Sequence, residues 1–294
     1  MTKIDVALEW FLNPDHLPMI VGIKKGVYKQ FALDVNIIVP TEHYDGFEEL
    51  NQGTIDIHCN EPIHLFEHYY EGLKSLGCFF ETRGGVMIRK DRLEKLKANE
   101  KIKITTPAAN EITNKIGFEI LKRYANVNNF ELDFENVEFV QTDFWHITNM
   151  KNDESFDGAW LCFYNFEGIE AEYENFENIF IDDYLSPFPN FSALEFMSSK
   201  EILEKKGDEI KLFIKITNDM IKYCKENIDE VKALYYEYSK EEKSLLMDKI
   251  IEDTIPRFKD KIKSNNKKWL ELTNFLEELE IVRLEESQYN SIWS

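Results

Sequence analysis

Closely spaced cysteines are absent from this sequence. Its four cysteines, Cys59, Cys78, Cys162 and Cys224, lie far apart and form no C-x-x-C pair. A disulfide framework and a structural zinc site of the cysteine type are therefore not expected. Scattered thiols of this kind favour a reducing compartment, although only weakly.

Long apolar runs and a signal-like start are also absent. No stretch approaches the roughly 18 apolar residues of a membrane span, so the sequence predicts no membrane-spanning segment. Residues 1–12 pass directly into a strand-like alternation, with no basic segment followed by an apolar stretch and a small-residue cleavage site. We therefore expect a cytoplasmic protein if Met1 is the native start, and otherwise an exported or lipid-anchored protein whose leader has been removed.

Positively charged residues are fewer than negatively charged residues. Lys and Arg number 35 against 55 Asp and Glu, and the formal net charge is −20. A surface this acidic repels phosphate backbones and anionic lipids, so nucleic acid is not an expected partner. An anionic ligand would need a local cluster of donors, whereas a neutral or cationic ligand would not.

The overall composition is that of a globular protein. Hydrophobic residues make up 43% of the 294 positions, with 12 glycines and 8 prolines. This length is sufficient for one large domain or for two modest lobes, each with its own core.

The first third of the chain alternates strand and helix patterns, which predicts a mainly parallel sheet with helices on both faces. The predicted strands are 3–9, 33–39 and 54–59, and the predicted helices are 16–31, 44–51 and 62–70.

A second alternation begins after a break near residues 82–85. Its predicted strands are 85–89, 101–105, 137–141 and 156–163, and its predicted helices are 107–125 and 145–150. Pro187 and Pro189 mark a second crossing, and from Ser198 onward helical spacing dominates. We therefore assign residues 1–84 and 190–294 to lobe one, and residues 85–189 to lobe two.

Several segments, taken together and in order, resemble one known family. They are Leu8–His16, Gly22–Lys29, Leu33–Val35, Thr54–Ile57, Asp157–Trp160, Asn165–Glu167 and Trp269–Ile281. They resemble the thiamine-pyrimidine group of binding proteins, which includes bacterial formylaminopyrimidine-binding proteins and fungal hydroxymethylpyrimidine phosphate synthases. The resemblance implies an α/β, two-lobed fold of the periplasmic-binding-protein type (type II), with a ligand cleft between the lobes.

Residues that follow strands are the candidate ligand contacts, because ligands bind beyond the carboxyl ends of strands in open α/β sheets. An aminopyrimidine needs an aromatic face for stacking and a carboxylate or amide to recognise its edge. In lobe one, Trp10 suits the stacking role and Asn13 the edge, although Asn13-Pro14-Asp15 is equally typical of a plain turn. The remaining candidates in this lobe are His16, Asn60, Glu61 and His64; His64 coincides with a histidine that the fungal synthases carry.

In lobe two, Glu167 is the favoured residue for recognising the ring edge, because it is a carboxylate that follows a strand. Asn110, in the segment that opens a helix, is placed where free backbone N–H groups could hold a polar or phosphorylated group. The other candidates are Tyr164, Asn165 and Phe188, the last of which is equally compatible with hinge packing. Core packing is expected for Trp160.

His58, His64 and His68 raise the question of a metal site, above all His64 and His68, which are spaced i, i+4 with Glu61 and Glu67 nearby. The sequence has no H-E-x-x-H motif, and acidic residues are common throughout. We expect neither a metal ion nor a cofactor.

Two functions of different class remain open. The first is binding of a small thiamine-related pyrimidine, for uptake with an ABC permease or for salvage of a thiamine precursor. The second is an enzyme like the fungal synthases, which consume pyridoxal phosphate and need iron, or a cytosolic enzyme on the same fold, such as one of menaquinone biosynthesis. Asn60 occupies the position aligned with the Schiff-base lysine of the synthases, and residues 183–188 replace their cysteine-rich segment. We therefore expect binding without chemistry, with the ligand's phosphorylation state left open.

Overall fold

The computed structural model describes residues 1–40 and 44–293, and its contacts divide the chain into two compact units. The first unit holds residues 1–81, 193–273 and the segment from 282 onward; the second holds residues 82–192 and 274–281. The lobe boundaries that we assign from the sequence stay a prediction.

A six-stranded mixed sheet forms the core of the first unit. Its strands are β1 (Thr2–Ala7), β2 (Leu33–Ile38), β3 (Ile57–Asn60), β4 (Leu73–Glu81), β10 (Ala193–Ser199) and β11 (Phe258–Lys263). Their order across the sheet is β11-β4-β10-β3-β1-β2. The pairs β1–β2 and β1–β3 are parallel, whereas β10 runs antiparallel to both β3 and β4. The carboxyl ends of β1 and β3 therefore meet at one edge.

A five-stranded mixed sheet forms the core of the second unit. Its strands are β5 (Gly84–Arg89), β6 (Ile102–Thr106), β7 (Val137–Gln141), β8 (Gly158–Phe163) and β9 (Asn178–Ile181), in the order β7-β6-β8-β5-β9. Here β6 is parallel to β7 and β8, and β5 is antiparallel to β8 and β9.

Thirteen helices are found in the described part of the chain. They are α1 (Leu17–Lys24), α2 (Val27–Gln30), α3 (Gly46–Gln52), α4 (His64–Glu67), α5 (Leu93–Lys97), α6 (Glu111–Val127), α7 (His146–Asn152), α8 (Ile169–Tyr173), α9 (Lys200–Glu226), α10 (Ile228–Ser239), α11 (Leu245–Thr254), α12 (Asn266–Glu278) and α13 (Glu286–Trp293). None of these helices within residues 1–40 and 44–293 is long and apolar enough to cross a membrane.

The mixed sheets correct the prediction of a mainly parallel sheet. Strand β10 has no polar–apolar alternation because every one of its residues is buried, so its sequence carries no period of two. Strand β11 is a charged edge strand, and its sequence, FKDKIK, lacks the β-branched run that identifies a strand. Both strands pair with residues far away in the chain, so local sequence patterns do not identify them.

Candidate functional site

A pocket of about 410 Å³ opens at the carboxyl ends of β1 and β3, wholly within the first unit. Its lining residues are Leu8, Glu9, Tyr44, Asp45, Gly46, Phe47, His58, Asn60, His64 and His68. This is the edge of an α/β sheet at which ligands ordinarily bind. We refer to these ten residues as the strand-end pocket.

The start of α3 forms one wall of the strand-end pocket. The carboxylate of Asp45 accepts hydrogen bonds from the backbone N–H groups of Phe47 (2.9 Å) and Glu48 (3.1 Å), which caps the helix. At Gly46, an added Cβ would lie 2.4 Å from Cε1 of His58. Only glycine therefore lets the helix approach the imidazole this closely.

His58 forms the back of the pocket as a neutral imidazole. Its side chain is buried, and desolvation lowers its pKa to about 4. A carbonyl oxygen can only accept, so Nδ1 carries the proton and donates to the oxygen of Ala7 at 3.2 Å. Nε2 is then an acceptor for the amide Nδ2 of Asn60 at 3.0 Å.

Asn60 is held in one orientation by its neighbours. Its Nδ2 donates to His58, and its Oδ1 accepts the backbone N–H of Glu61 at 2.8 Å. The second N–H of the amide and the second lone pair of its oxygen remain for a ligand. The amide thus offers one donor and one acceptor side by side.

A buried network beneath the pocket positions Glu9. The backbone N–H of Asn13 donates to Nδ1 of His16 at 3.2 Å, so Nε2 carries the proton and donates to Oε1 of Glu9 at 3.1 Å. One ligand atom from each of Glu9, His16 and Cys59 lies within 4.8 Å of the others. Because both nitrogens of His16 are hydrogen-bonded, this group is better described as a support for the Glu9 carboxylate than as a metal site.

The electrostatic character of the strand-end pocket is acidic. Glu9 and Asp45 contribute carboxylates, and none of the described residues that line it is a lysine or arginine. Next to it, burial raises the pKa of Glu61 to about 7, so this carboxyl is partly protonated at neutral pH. A neutral or cationic ligand suits such a pocket, whereas a phosphate dianion would meet the like charge of Glu9 and Asp45.

The predicted site residues of the first unit fall into two groups. Asn60 and His64 line the strand-end pocket, and Glu61 adjoins it. Asn13 and His16 are buried in the loop after β1 and support it, so the turn alternative describes the local role of Asn13.

Trp10 is half-buried, and its ring stacks on that of Phe11 with centroids 5.7 Å apart. It is not among the lining residues of the strand-end pocket. Its role in stacking on a ligand stays a prediction.

In the second unit, Glu167, the residue predicted to recognise the edge of the pyrimidine ring, lies in a π-helical turn that directly follows β8. Its carboxylate accepts the backbone N–H of Phe163 at 2.7 Å, and burial raises its pKa to about 8. Asn165, in the same turn, is also buried. Glu167 is therefore mainly a neutral carboxylic acid at pH 7, able to donate as well as to accept.

Tyr164, Asn110 and Phe188 have structural contacts of their own. The guanidinium of Arg83 lies 3.5 Å from the ring centroid of Tyr164. Oδ1 of Asn110 caps α6, and the ring of Phe188 is buried against that of Phe191. Their contribution to ligand binding stays a prediction.

Trp160 is buried in the second unit, which confirms the expectation of core packing. Its Nε1 donates to the carbonyl of Thr113 at 2.9 Å. The indole N–H therefore has a partner inside the core, as a buried tryptophan needs.

Sequence reasoning missed Glu9, Tyr44, Asp45 and Phe47 as lining residues. The available signal was the Asp45-Gly46 pair, which is typical of a helix cap that follows a strand. That signal predicts where α3 begins but gives no indication that its first turn faces His58.

A larger depression of about 1010 Å³ lies at the opposite edge of the first sheet. It is lined by polar residues of the turn before β4 and of the starts of α9 and α13, among them Tyr70, Lys74, Ser199 and Gln288. Because this is the amino-terminal edge of β1 and β3, we regard the strand-end pocket as the better candidate despite its smaller volume.

Comparisons with known proteins agree with the fold and with the family resemblance. A family model described as NMT1/THI5 like matches residues 13–231. A putative thiamine biosynthesis protein of Haemophilus influenzae is 21% identical over 94% of this chain and 87% of its own length. A 4-amino-5-hydroxymethyl-2-methylpyrimidine phosphate synthase of Legionella pneumophila is 22% identical over 96% of this chain and 88% of its own length.

Among solved structures, the periplasmic aliphatic sulphonate binding protein SsuA of Escherichia coli superimposes with a TM-score of 0.71 at 12% identity. The match covers 100% of this chain and 98% of SsuA. The predicted fold class, α/β and two-lobed in the manner of periplasmic binding proteins, is thereby confirmed.

Proposed function

Because the chain belongs to the NMT1/THI5-like family, as its sequence resemblance predicts, we propose that it binds a small, unphosphorylated, thiamine-related pyrimidine in the strand-end pocket. The family and the fold support a ligand-binding role in general. The hydroxymethyl- and formylaminopyrimidines are the compounds that we propose as ligands.

The observation that carries this proposal is the pairing of a fixed amide with an acidic, partly aromatic wall. An aminopyrimidine edge alternates donors and acceptors, and Asn60 presents one of each. The carboxylate of Glu9 is placed to accept from an exocyclic amine, and the rings of Tyr44 and Phe47 offer apolar surface. A volume of about 410 Å³ is at the small end of ordinary ligand pockets, which suits a single ring.

The absence of phosphate from the proposed ligand follows from the charges. Glu9 and Asp45 line the pocket, and no lysine or arginine among its described lining residues would pair with a phosphate. An anion placed beside these two carboxylates loses hydration and meets like charge.

The proposed biological role is that of the substrate-binding component of an uptake system, or of a protein that salvages thiamine precursors. The two-lobed fold shared with import-system binding proteins supports the first alternative. An ABC permease is the partner that this role would require.

Calorimetric titration of the full chain tests the proposal. Hydroxymethyl- or formylaminopyrimidine should bind saturably, and the phosphate monoester of hydroxymethylpyrimidine should bind at least about tenfold more weakly, which corresponds to about 1.4 kcal/mol. Asn60→Ala should weaken binding by roughly 1–3 kcal/mol, because it leaves the ring edge without its amide partners. Asn126→Ala, at an exposed position of α6, is the control and should bind like the wild type. No heat at millimolar pyrimidine would contradict the proposal.

A second candidate is an enzyme of the synthase type that consumes pyridoxal phosphate. It is favoured by the name of the Legionella relative and by the place of His64 in the pocket. Such chemistry needs a lysine for the Schiff base, and the described lining residues of the pocket do not fit, because Asn60 stands at the aligned position. We expect that borohydride will trap no adduct when pyridoxal phosphate is added to the protein.

A further inference from the structure

The turn that carries α4 brings three metal-binding side chains together at the mouth of the strand-end pocket. His64, Glu67 and His68 each offer a ligand atom, and the three atoms lie within 4.8 Å of one another. The backbone N–H of His68 donates to the carbonyl of His64 at 3.0 Å, so a single hydrogen-bonded turn presents the set. No H-E-x-x-H motif is needed, because spacings of i, i+3 and i, i+4 both face the same side of a turn.

The polar atoms around His64 are incompletely satisfied. Its Nδ1 lies 2.7 Å from Oε2 of Glu67, which is an ion-pair contact within one turn. Oε2 of Glu61 is 4.0 Å from the other ring nitrogen, and the buried Oε1 of Glu61 has no hydrogen-bond partner among the described residues. Two carboxyl groups thus flank one imidazole, and a bound cation would stabilise the ionised form of both.

The donor set specifies the class of cation. Magnesium and calcium favour all-oxygen sites, whereas imidazole nitrogens combined with a carboxylate suit zinc and related transition metals. Three protein ligands leave one position of a tetrahedral zinc site open. Since His64 and His68 also line the strand-end pocket, the open position would adjoin the ligand space.

We propose that His64, Glu67 and His68 form a binding site for a divalent transition-metal ion such as Zn²⁺. His68 is exposed and the Glu67 side chain is only partly buried, so both can turn inward by the small distance that coordination requires. The site stands independently of the pyrimidine proposal, because its ligands are side chains of one turn.

Zinc titration of chelator-treated full-length protein, without any pyrimidine, tests this site. We expect one Zn²⁺ per chain, and a loss of affinity of at least about tenfold in both Glu67→Gln and His68→Ala. Glu71→Gln, a matched carboxylate change at an exposed position three residues after His68, should bind zinc like the wild type. Circular dichroism establishes that each variant is folded.

Cobalt spectroscopy separates this site from the Glu9–His16–Cys59 group. Co²⁺ bound to His64, Glu67 and His68 should show visible ligand-field bands without a thiolate charge-transfer band in the near ultraviolet. Absence of saturable zinc binding, unchanged affinity in both variants, or a thiolate band that disappears in Cys59→Ser would each overturn the proposal.

Discussion

Gly46 and His58 together set the geometry of one side of the strand-end pocket. Gly46 allows α3 to approach His58, and the buried, neutral His58 in turn fixes the amide of Asn60. The chemistry that the pocket presents therefore depends on a glycine that makes no ligand contact.

Gly46→Ala should remove ligand binding and destabilise the fold. The new methyl group would sit 2.4–2.7 Å from ring atoms of His58, which must move or push α3 outward, at a cost of about 1–3 kcal/mol. Urea denaturation gives the stability change, and calorimetry gives the affinity.

Gly207→Ala is the matched control for this substitution. An added Cβ there has no atom within 4 Å, and the residue directly follows a kink at Lys206 within α9. This variant should be about as stable as the wild type, because the new methyl group meets no other atom. Equal effects of the two substitutions would refute the close-approach argument.

The titration of the buried Glu167 carboxyl makes the stability of the protein depend on pH. Glu167 has a folded-state pKa of about 8, above its ordinary value, so its contribution to stability is fully present at low pH. That contribution is lost as the pH rises through the folded-state pKa, because the unfolded state then binds fewer protons than the native state.

Glu167→Gln should therefore reduce the fall in stability between about pH 5 and about pH 8. The amide oxygen can still accept the Phe163 N–H, and the variant carries no charge to desolvate. Urea midpoints at several pH values measure the slope, with the exposed Glu131→Gln as the control. A slope identical to that of the wild type would contradict the raised pKa.

At the scale of elements, caps and turns determine where the polar residues lie. Helix α6 begins with a capping box: Oδ1 of Asn110 accepts the N–H of Thr113 at 2.9 Å, and Oγ1 of Thr113 accepts the N–H of Asn110 at 3.2 Å. This local role accounts for an asparagine at the position that the sequence suggested as a ligand contact.

Asn110→Ala should lower the free energy of unfolding by about 1 kcal/mol, through loss of the cap. Asn110→Ser should restore most of that stability, because a serine hydroxyl can also cap the helix. Chemical denaturation measures both variants. If Asn110→Ala weakens pyrimidine binding while stability is unchanged, the residue is a ligand contact instead.

At the scale of the whole molecule, each unit is built on its own mixed sheet. In the first unit, β10 inserts between β3 and β4 and carries a buried carboxyl, Glu195, which accepts from Nε1 of Trp269 at 2.6 Å. This contact joins a central strand to the C-terminal helices over 74 residues of sequence. The segment 258–263, which has no strand pattern of its own, completes the same sheet.

The sequence by itself determined the two α/β alternations, the family, the core position of Trp160 and the place of Asn60 and His64 close to the carboxyl end of the third strand. These features depend on local periodicity, turn residues and short motifs, which are fixed by neighbours in the chain. Only the tertiary structure decided the antiparallel strands, the approach of Gly46 to His58 and the support of Glu9 by His16. These three features depend on pairings between distant residues. A buried strand or a charged edge strand has no local sequence pattern that indicates which strand it pairs with.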